Sequence, residues 1–155
     1  MADIKMVETG DGGGFEIAGN DLVMIGGLQN MPYLAMFGGN PDQSTNGPKL
    51  PDQQAFDWWG NNLLYPNSPA LQFNSLLEKK LTEVVLNSAG RIQIEQTVKR
   101  DLQFMQQFAI IEVSVSLTAN DRVNIYIKIQ QPNNQQSTEL TYIWDATNNE
   151  LTVEA

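Results

Sequence analysis

The chain contains no cysteine and no histidine. Without cysteine there is no disulfide, no thiolate nucleophile and no zinc–thiolate site. Without histidine the commonest general base, the commonest metal ligand and every Ser-His or Cys-His nucleophile are gone. Carboxylate pairs, lysine and tyrosine are what remain for catalysis. Charge is sparse too, at 17% of 155 residues, against 41% hydrophobic residues. That is a globular composition with an amide-rich surface, and its length suits one domain with one core. No apolar run approaches the roughly 20 residues that span a bilayer. The start, Met1-Ala2-Asp3-Ile4-Lys5, has no basic stretch leading into an apolar one, so neither a secretion signal nor a membrane partner is expected.

The net charge of −9 is unevenly placed. Residues 1–27 carry five acids against Lys5, a balance of −4, and residues 139–155 carry four acids and no base, also −4. Acidic ends argue against a nucleic-acid partner, because phosphate binding needs a basic patch. They serve solubility, or they meet a basic surface on another subunit.

Trp58-Trp59-Gly60 is the most informative motif present. Adjacent side chains point different ways on a regular backbone, so a tryptophan doublet seldom faces a single core. Either both rings plug a small core beneath a loop, or one of them is an anchor for a second apolar surface. The triple glycine Gly12-Gly13-Gly14 reads as a turn, since no Lys-Ser/Thr follows it and its neighbours are acidic. Glu78, Glu83, Glu95, Asp101 and Glu112 each fall on the polar side of their pattern, and read as surface charge rather than as a catalytic pair. No cofactor and no metal site is expected.

Period and punctuation divide the single domain into three stretches. Residues 1–37 hold short strands at 3–8, 14–18 and 21–25 and a short helix over 28–37, with Pro32 in its first turn and Gly38-Gly39 at its end. Residues 38–66 are a Pro/Gly/Asn loop carrying the tryptophan doublet. Residues 67–155 hold two helices, over 74–86 and 89–106, and then a switch of period from 3.6 to 2. Ile111, Val113, Val115 and Leu117 face Val123, Ile125, Ile127 and Ile129 across a turn, giving an antiparallel hairpin with one buried face. Leu140, Tyr142 and Trp144 predict a third strand, and Leu151 to Glu154 a fourth. The fold class is α+β: an antiparallel sheet of three or four strands on two main helices, with a small N-terminal hairpin lobe and short helix. A terminal sheet edge has unpaired backbone groups that another chain can complete. Partner-binding residues are therefore expected at Trp58, Trp59 and Gly60, and on the last strands at Leu140, Tyr142, Trp144, Leu151 and Val153.

Several of these pieces recur together in a known family. The acidic hairpin, Asp21-Leu22-Val23 with Gly26-Gly27-Leu28, the helix Tyr33-Leu34-Ala35-Met36-Phe37, the Pro/Asp-rich loop and Trp58-Trp59-Gly60 stand in this order before two helices and a β-hairpin. In this order they resemble the Mu-like branch of the small baseplate wedge proteins, or sheath initiators, of contractile phage tails. The resemblance covers roughly residues 15 to 130. Asn61 stands where that family often has Asp, and Gly38-Gly39-Asn40 replaces its basic residues. The resemblance implies a structural protein of the virion tail baseplate, assembled in the host cytoplasm in multiple copies of a sixfold ring. Its implied partners are the larger wedge proteins and the tail sheath protein, with hub or tube proteins as further candidates. A peptidoglycan-cleaving, lysozyme-like tail enzyme is the alternative, and another phage assembly accessory is a third reading.

Overall fold

A computed structural model describes residues 2–8, 13–26, 28–40, 59–118, 121–132 and 136–154. The protein is of mixed α and β structure, with antiparallel sheets throughout. Residues 2–8 and 13–26 form a small ribbon of three strands, each broken at a single residue. Lys5 separates β1 (Ala2–Ile4) from β2 (Met6–Glu8), Glu16 separates β3 (Gly13–Phe15) from β4 (Ile17–Ala18), and Val23 separates β5 (Asp21–Leu22) from β6 (Met24–Gly26). Alternation alone predicts three unbroken strands here. The breaks arise because each strand changes partner midway: β1 pairs with β6, β2 with β3 and β4 with β5. The three break residues bond to one another in a ring. Lys5 N donates to Val23 O (2.8 Å), Val23 N to Glu16 O (2.9 Å) and Glu16 N to Lys5 O (3.0 Å). An ion pair between Lys5 and Glu16 (2.6 Å) lies over the junction.

Helix α1 (Asn30–Phe37) follows, with Pro32 in the first turn, where its missing N–H costs nothing. Gly38 closes the helix by donating to Leu34 O, and Gly39 takes φ +96°, a left-handed conformation that favours glycine. Asn30 joins ribbon to helix. Its buried amide donates to Ile4 O (2.7 Å) and Asp3 Oδ2 (2.8 Å), and accepts from Met6 N (3.3 Å).

Two short helices, α2 (Trp59–Leu64) and α3 (Leu77–Glu83), precede the longest one, α4 (Ser88–Asp101). Both main helices are shorter than the apolar periodicity predicts. The first is cut at Val84, which turns extended, and the second ends at Leu102 before a 3-10 turn over Gln103–Gln107. The chain between α3 and α4 bends so tightly that a Cβ on Gly90 would fall 2.0 Å from Val85 O. Asn87 caps α4 by accepting from Gly90 N (2.9 Å). Ile92 is half exposed rather than inward, and Val85 is also exposed.

The period-2 segment forms a four-stranded antiparallel meander in the order β10-β9-β8-β7. Its strands are β7 (Ile110–Thr118), β8 (Arg122–Gln130), β9 (Ser137–Asp145) and β10 (Glu150–Glu154). The register sets the apolar residues in rows across one face: Val115, Ile125, Tyr142 and Val153 in one, Leu117, Val123, Trp144 and Leu151 in the next. Asp121 and Asn149 take φ +57° in the turns, as small polar residues tolerate. The core joins these rows to Met36 of α1, Leu77 and Leu81 of α3, Ile94 and Val98 of α4, and Leu102 and Met105 beyond it.

Asp101 fixes the angle between the two main helices. From the last turn of α4 its Oδ2 accepts from Leu76 N (2.9 Å) and Leu77 N (3.0 Å), capping α3. The sequence placed it on a solvated face; instead burial pushes its carboxyl up to about 6, overriding the lowering effect of the two amide donors. The unfolded chain titrates near the ordinary 3.8. The folded state therefore holds the extra proton between these values. This contribution to stability is fully present below the unfolded value and is lost as pH rises through about 6. Asp101→Asn keeps an acceptor for both amides without burying a charge. Its stability relative to wild type should rise as pH goes from about 4 to about 7, measured by urea denaturation. Asp101→Ala strands two N–H groups and should cost about 1–3 kcal/mol.

Candidate partner-binding site

Trp58 lies outside the described residues, and Trp59 and Gly60 open α2. The residue that fixes this motif to the body is the next one, Asn61, which is fully buried. Its Oδ1 accepts from Phe73 N (2.9 Å) and its Nδ2 donates to Phe73 O (3.4 Å), so one amide side chain meets both backbone groups of one residue, as a neighbouring strand would. Gln72 completes the clamp, donating to Asn61 O (3.2 Å) and Tyr65 O (2.8 Å). Aspartate at this place would keep the acceptor and lose the donor. Sequence reasoning noted Asn61 only as a departure from a family pattern; an amide directly after Trp-Trp-Gly was the signal for a buried clamp.

The same segment exposes apolar surface. Leu63, Leu64 and Leu71 all stand out into solvent, in a stretch that Asn61 and Gln72 hold in a fixed shape. The start of the long loop is fixed as well. Ser75 Oγ and Ser75 N both donate to Gly39 O (3.0 Å each), and Asn40 Nδ2 donates to Ser75 O (3.0 Å). The remainder of the expected loop, residues 41–58, lies outside the described residues.

The last strands present something different from what was expected of them. Leu140, Tyr142, Trp144 and Leu151 are buried, and Val153 is partly buried against the same core. Their side chains pack in or against the chain's own core, so a partner strand would meet the backbone of these residues. Alternation explains this: on a one-faced sheet the apolar residues of an edge strand turn to the core, and its backbone and alternate polar side chains face outward. Burial, with Tyr33 nearby, holds the Tyr142 hydroxyl well above its usual range. The buried Trp144 Nε1 has no acceptor. Among the described residues β10 has a hydrogen-bonded strand on one side only, that of β9. At the opposite edge Arg91 of α4 donates to Val115 O (3.2 Å) on β7.

Among the described residues, the carboxylates with shifted pKa values are engaged in local hydrogen bonds. Glu95 is held below its ordinary range by its hydrogen bond to Lys99 (2.5 Å), with Arg91 (2.9 Å) adding to it. Asp145 is lowered by the backbone N–H of Asn148 and then that of Thr147, with Arg122 beside it. The surface cleft at Asp101 is lined by Arg100, Gln103, Phe104, Gln106 and Gln107, with no second carboxylate among them. No group of three or more metal-ligating residues occurs among the described residues. A cavity of about 260 Å³ lies between the ribbon, α1 and the inner sheet face, lined by Val7, Ile25, Tyr33, Leu140, Tyr142 and Val153 among others. It falls below the ~300–1,000 Å³ of ordinary ligand sites.

Asn61→Asp should destabilise the protein at neutral pH, because a buried carboxylate would then face Phe73 O. Burial raises the folded-state pKa of that carboxyl, so the penalty should shrink as pH falls and the acid gains a proton to donate. Asn61→Ala should cost about 1–3 kcal/mol at any pH. Urea denaturation at two pH values separates the two substitutions.

No protein-family model matches this chain, and no curated protein or solved structure matches it at a significant level.

Proposed function

We propose that this chain is a structural component of a contractile phage tail baseplate. In this reading it binds larger wedge subunits through the segment after Trp58-Trp59-Gly60, and helps to start or anchor the sheath by accepting a strand at β10. One observation carries the reading. The sheet's apolar face is filled by its own chain, yet among the described residues β10 pairs on one side alone and offers backbone N–H and C=O groups on the other. Such an edge recognises another strand rather than a small molecule. The exposed Leu63, Leu64 and Leu71 beside the clamp of Asn61 supply a second, apolar contact. The resemblance in motif order gives the assembly its identity and its sixfold ring.

The lysozyme-like alternative is weaker. A glycosidase needs two carboxylates, about 5 Å apart in retaining enzymes and further in inverting ones. Asp101 has the raised pKa of a general acid, but its Oδ2 is taken up by two backbone amides and its cleft offers no partner carboxylate.

Hydrogen exchange tests the edge. Amides of residues 150–154 that point away from β9 should be weakly protected in the isolated chain and become protected when candidate sheath and wedge subunits are added. Unchanged exchange in the assembled particle would remove the strand-acceptor role. Leu63→Glu with Leu71→Glu, both at exposed sites, should leave folding intact and lower assembly with the wedge subunits by at least about tenfold, the loss expected for one apolar anchor region. Purified protein should fail to clear cell-wall suspensions across about pH 4–8, a span that brackets a raised carboxylate pKa.

A further inference from the structure

The ribbon has one face that its own chain leaves apolar and open. Directly opposed residues of an antiparallel pair share a face, and alternate residues along a strand do too. The register opposes Met6 to Phe15, Ile17 to Leu22 and Ile4 to Met24. Lys5, Glu16 and Val23 lie between the members of these pairs along each strand, so Phe15, Ile17, Leu22 and Met24 fall on one open side, with Ile4 and Met6, both partly buried, at its margin, Met6 also reaching the cavity beneath. The other side carries Asp3, Lys5, Val7, Glu16, Asp21, Val23 and Ile25. It is the side turned to the body: Asp3 meets Asn30, while Lys5, Val7 and Ile25 line the cavity over the sheet.

This inverts the usual arrangement of a surface ribbon. Phe15, Ile17, Leu22 and Met24 are 59%, 68%, 40% and 56% exposed. Together they amount to on the order of 400 Å² of apolar surface in one patch, the scale at which exposure marks a docking site. A standard interface needs about 800 Å² per partner, so the patch is the centre of an interface rather than all of it. The positions are not forced by the fold, since exposed residues on a two- or three-residue strand can be polar at no cost to the core.

Charge selects the occupant. Residues 1–27 carry a balance of −4, and Asp3 and Asp21, on the ribbon's other side, are exposed across a layer only one strand thick. Those charges sit within a Debye length, about 8–10 Å, of the apolar face. A second copy would bring an equal negative field against the first, and an anionic membrane would do the same. An apolar protein surface rimmed by lysine and arginine meets both requirements. We propose that the outer face of the N-terminal ribbon, centred on Phe15, Ile17, Leu22 and Met24, is a docking surface for such a basic-rimmed apolar patch on another protein. This goes beyond the strand edge at β10 and does not depend on it.

A photoreactive residue tests it, introduced as Phe15→p-benzoylphenylalanine in the full chain and cross-linked in the intact assembly. The expected product joins residue 15 to apolar residues flanked by Lys or Arg on a different protein. A cross-link to this chain itself, to a second copy or to an acidic surface would overturn the proposal, as would binding of the purified chain to phosphatidylglycerol vesicles through this face. Two variants read the two components separately. Ile17→Ser with Met24→Ser should lower affinity for the cross-linked partner at least about tenfold at every salt concentration, the loss of an apolar anchor. Asp21→Lys should lower it chiefly at low salt, flattening the salt dependence. Both sites are exposed, and unchanged hydrogen exchange in the core will show that the fold persists. No loss from either variant overturns the proposal. Loss of β10 protection with intact ribbon cross-links would count against the strand-acceptor role alone.

Discussion

Covering one face of a four-stranded sheet is the constraint on which the rest of this molecule depends. β7, β8 and β9 present unbroken apolar rows that must be kept from water, at roughly 25 cal/mol for each Å² left exposed. The pieces that do the covering are short. α1 has eight residues, α3 has seven and α4 has fourteen. None of these is stable alone in water, because helix nucleation is unfavourable and short helices do not recover its cost. They persist only because they sit on the sheet, and they sit in defined places because polar side chains tie them to distant backbone.

Those ties follow one chemical pattern. Asn30, Asn61, Ser75 and Asp101 are each buried or nearly so, and each bonds backbone groups between 12 and 36 residues away. Each supplies donors or acceptors exactly where short elements end and leave N–H or C=O groups without a ladder. An amide that both donates and accepts can stand in for a strand, as Asn61 does against Phe73. An amide-rich composition with little charge suits such a design, since an amide can be buried without the desolvation cost of an ion. Asp101 is the one ionisable member, and its raised pKa is the mark of that cost.

This explains which parts were legible in the sequence. The strands of the meander alternate over nine residues, and that periodicity carried their register, their buried face and their order along the chain. The helices were legible in place but not in length, because their ends are set by Asp101, Gly90 and Asn87, contacts that leave no period behind. Asp101 follows Lys99 and Arg100, so its neighbours spoke for solvent while its own side chain turned inward. For the candidate site, Trp58-Trp59-Gly60 leads into the buried Asn61 and the exposed leucines, while the side chains named on the last strands lie in or against the core and leave that strand's backbone as its edge. Apolar alternation cannot tell a strand that receives a partner from one that merely closes a sheet. The apolar face of the ribbon was hidden for another reason: three strands that exchange partners at Lys5, Glu16 and Val23 look, in sequence, like ordinary short strands.

The closed exchange at those three residues also bears on how the N-terminal segment comes and goes. Each of its pairings spans only two or three residues, too few for a lone hairpin to hold in water. No one pairing can precede the others, since each strand needs both of its neighbours to satisfy its two halves. Such interlocked pairings form together, and the buried Asn30, bonded to Asp3, Ile4 and Met6, ties the segment to the body.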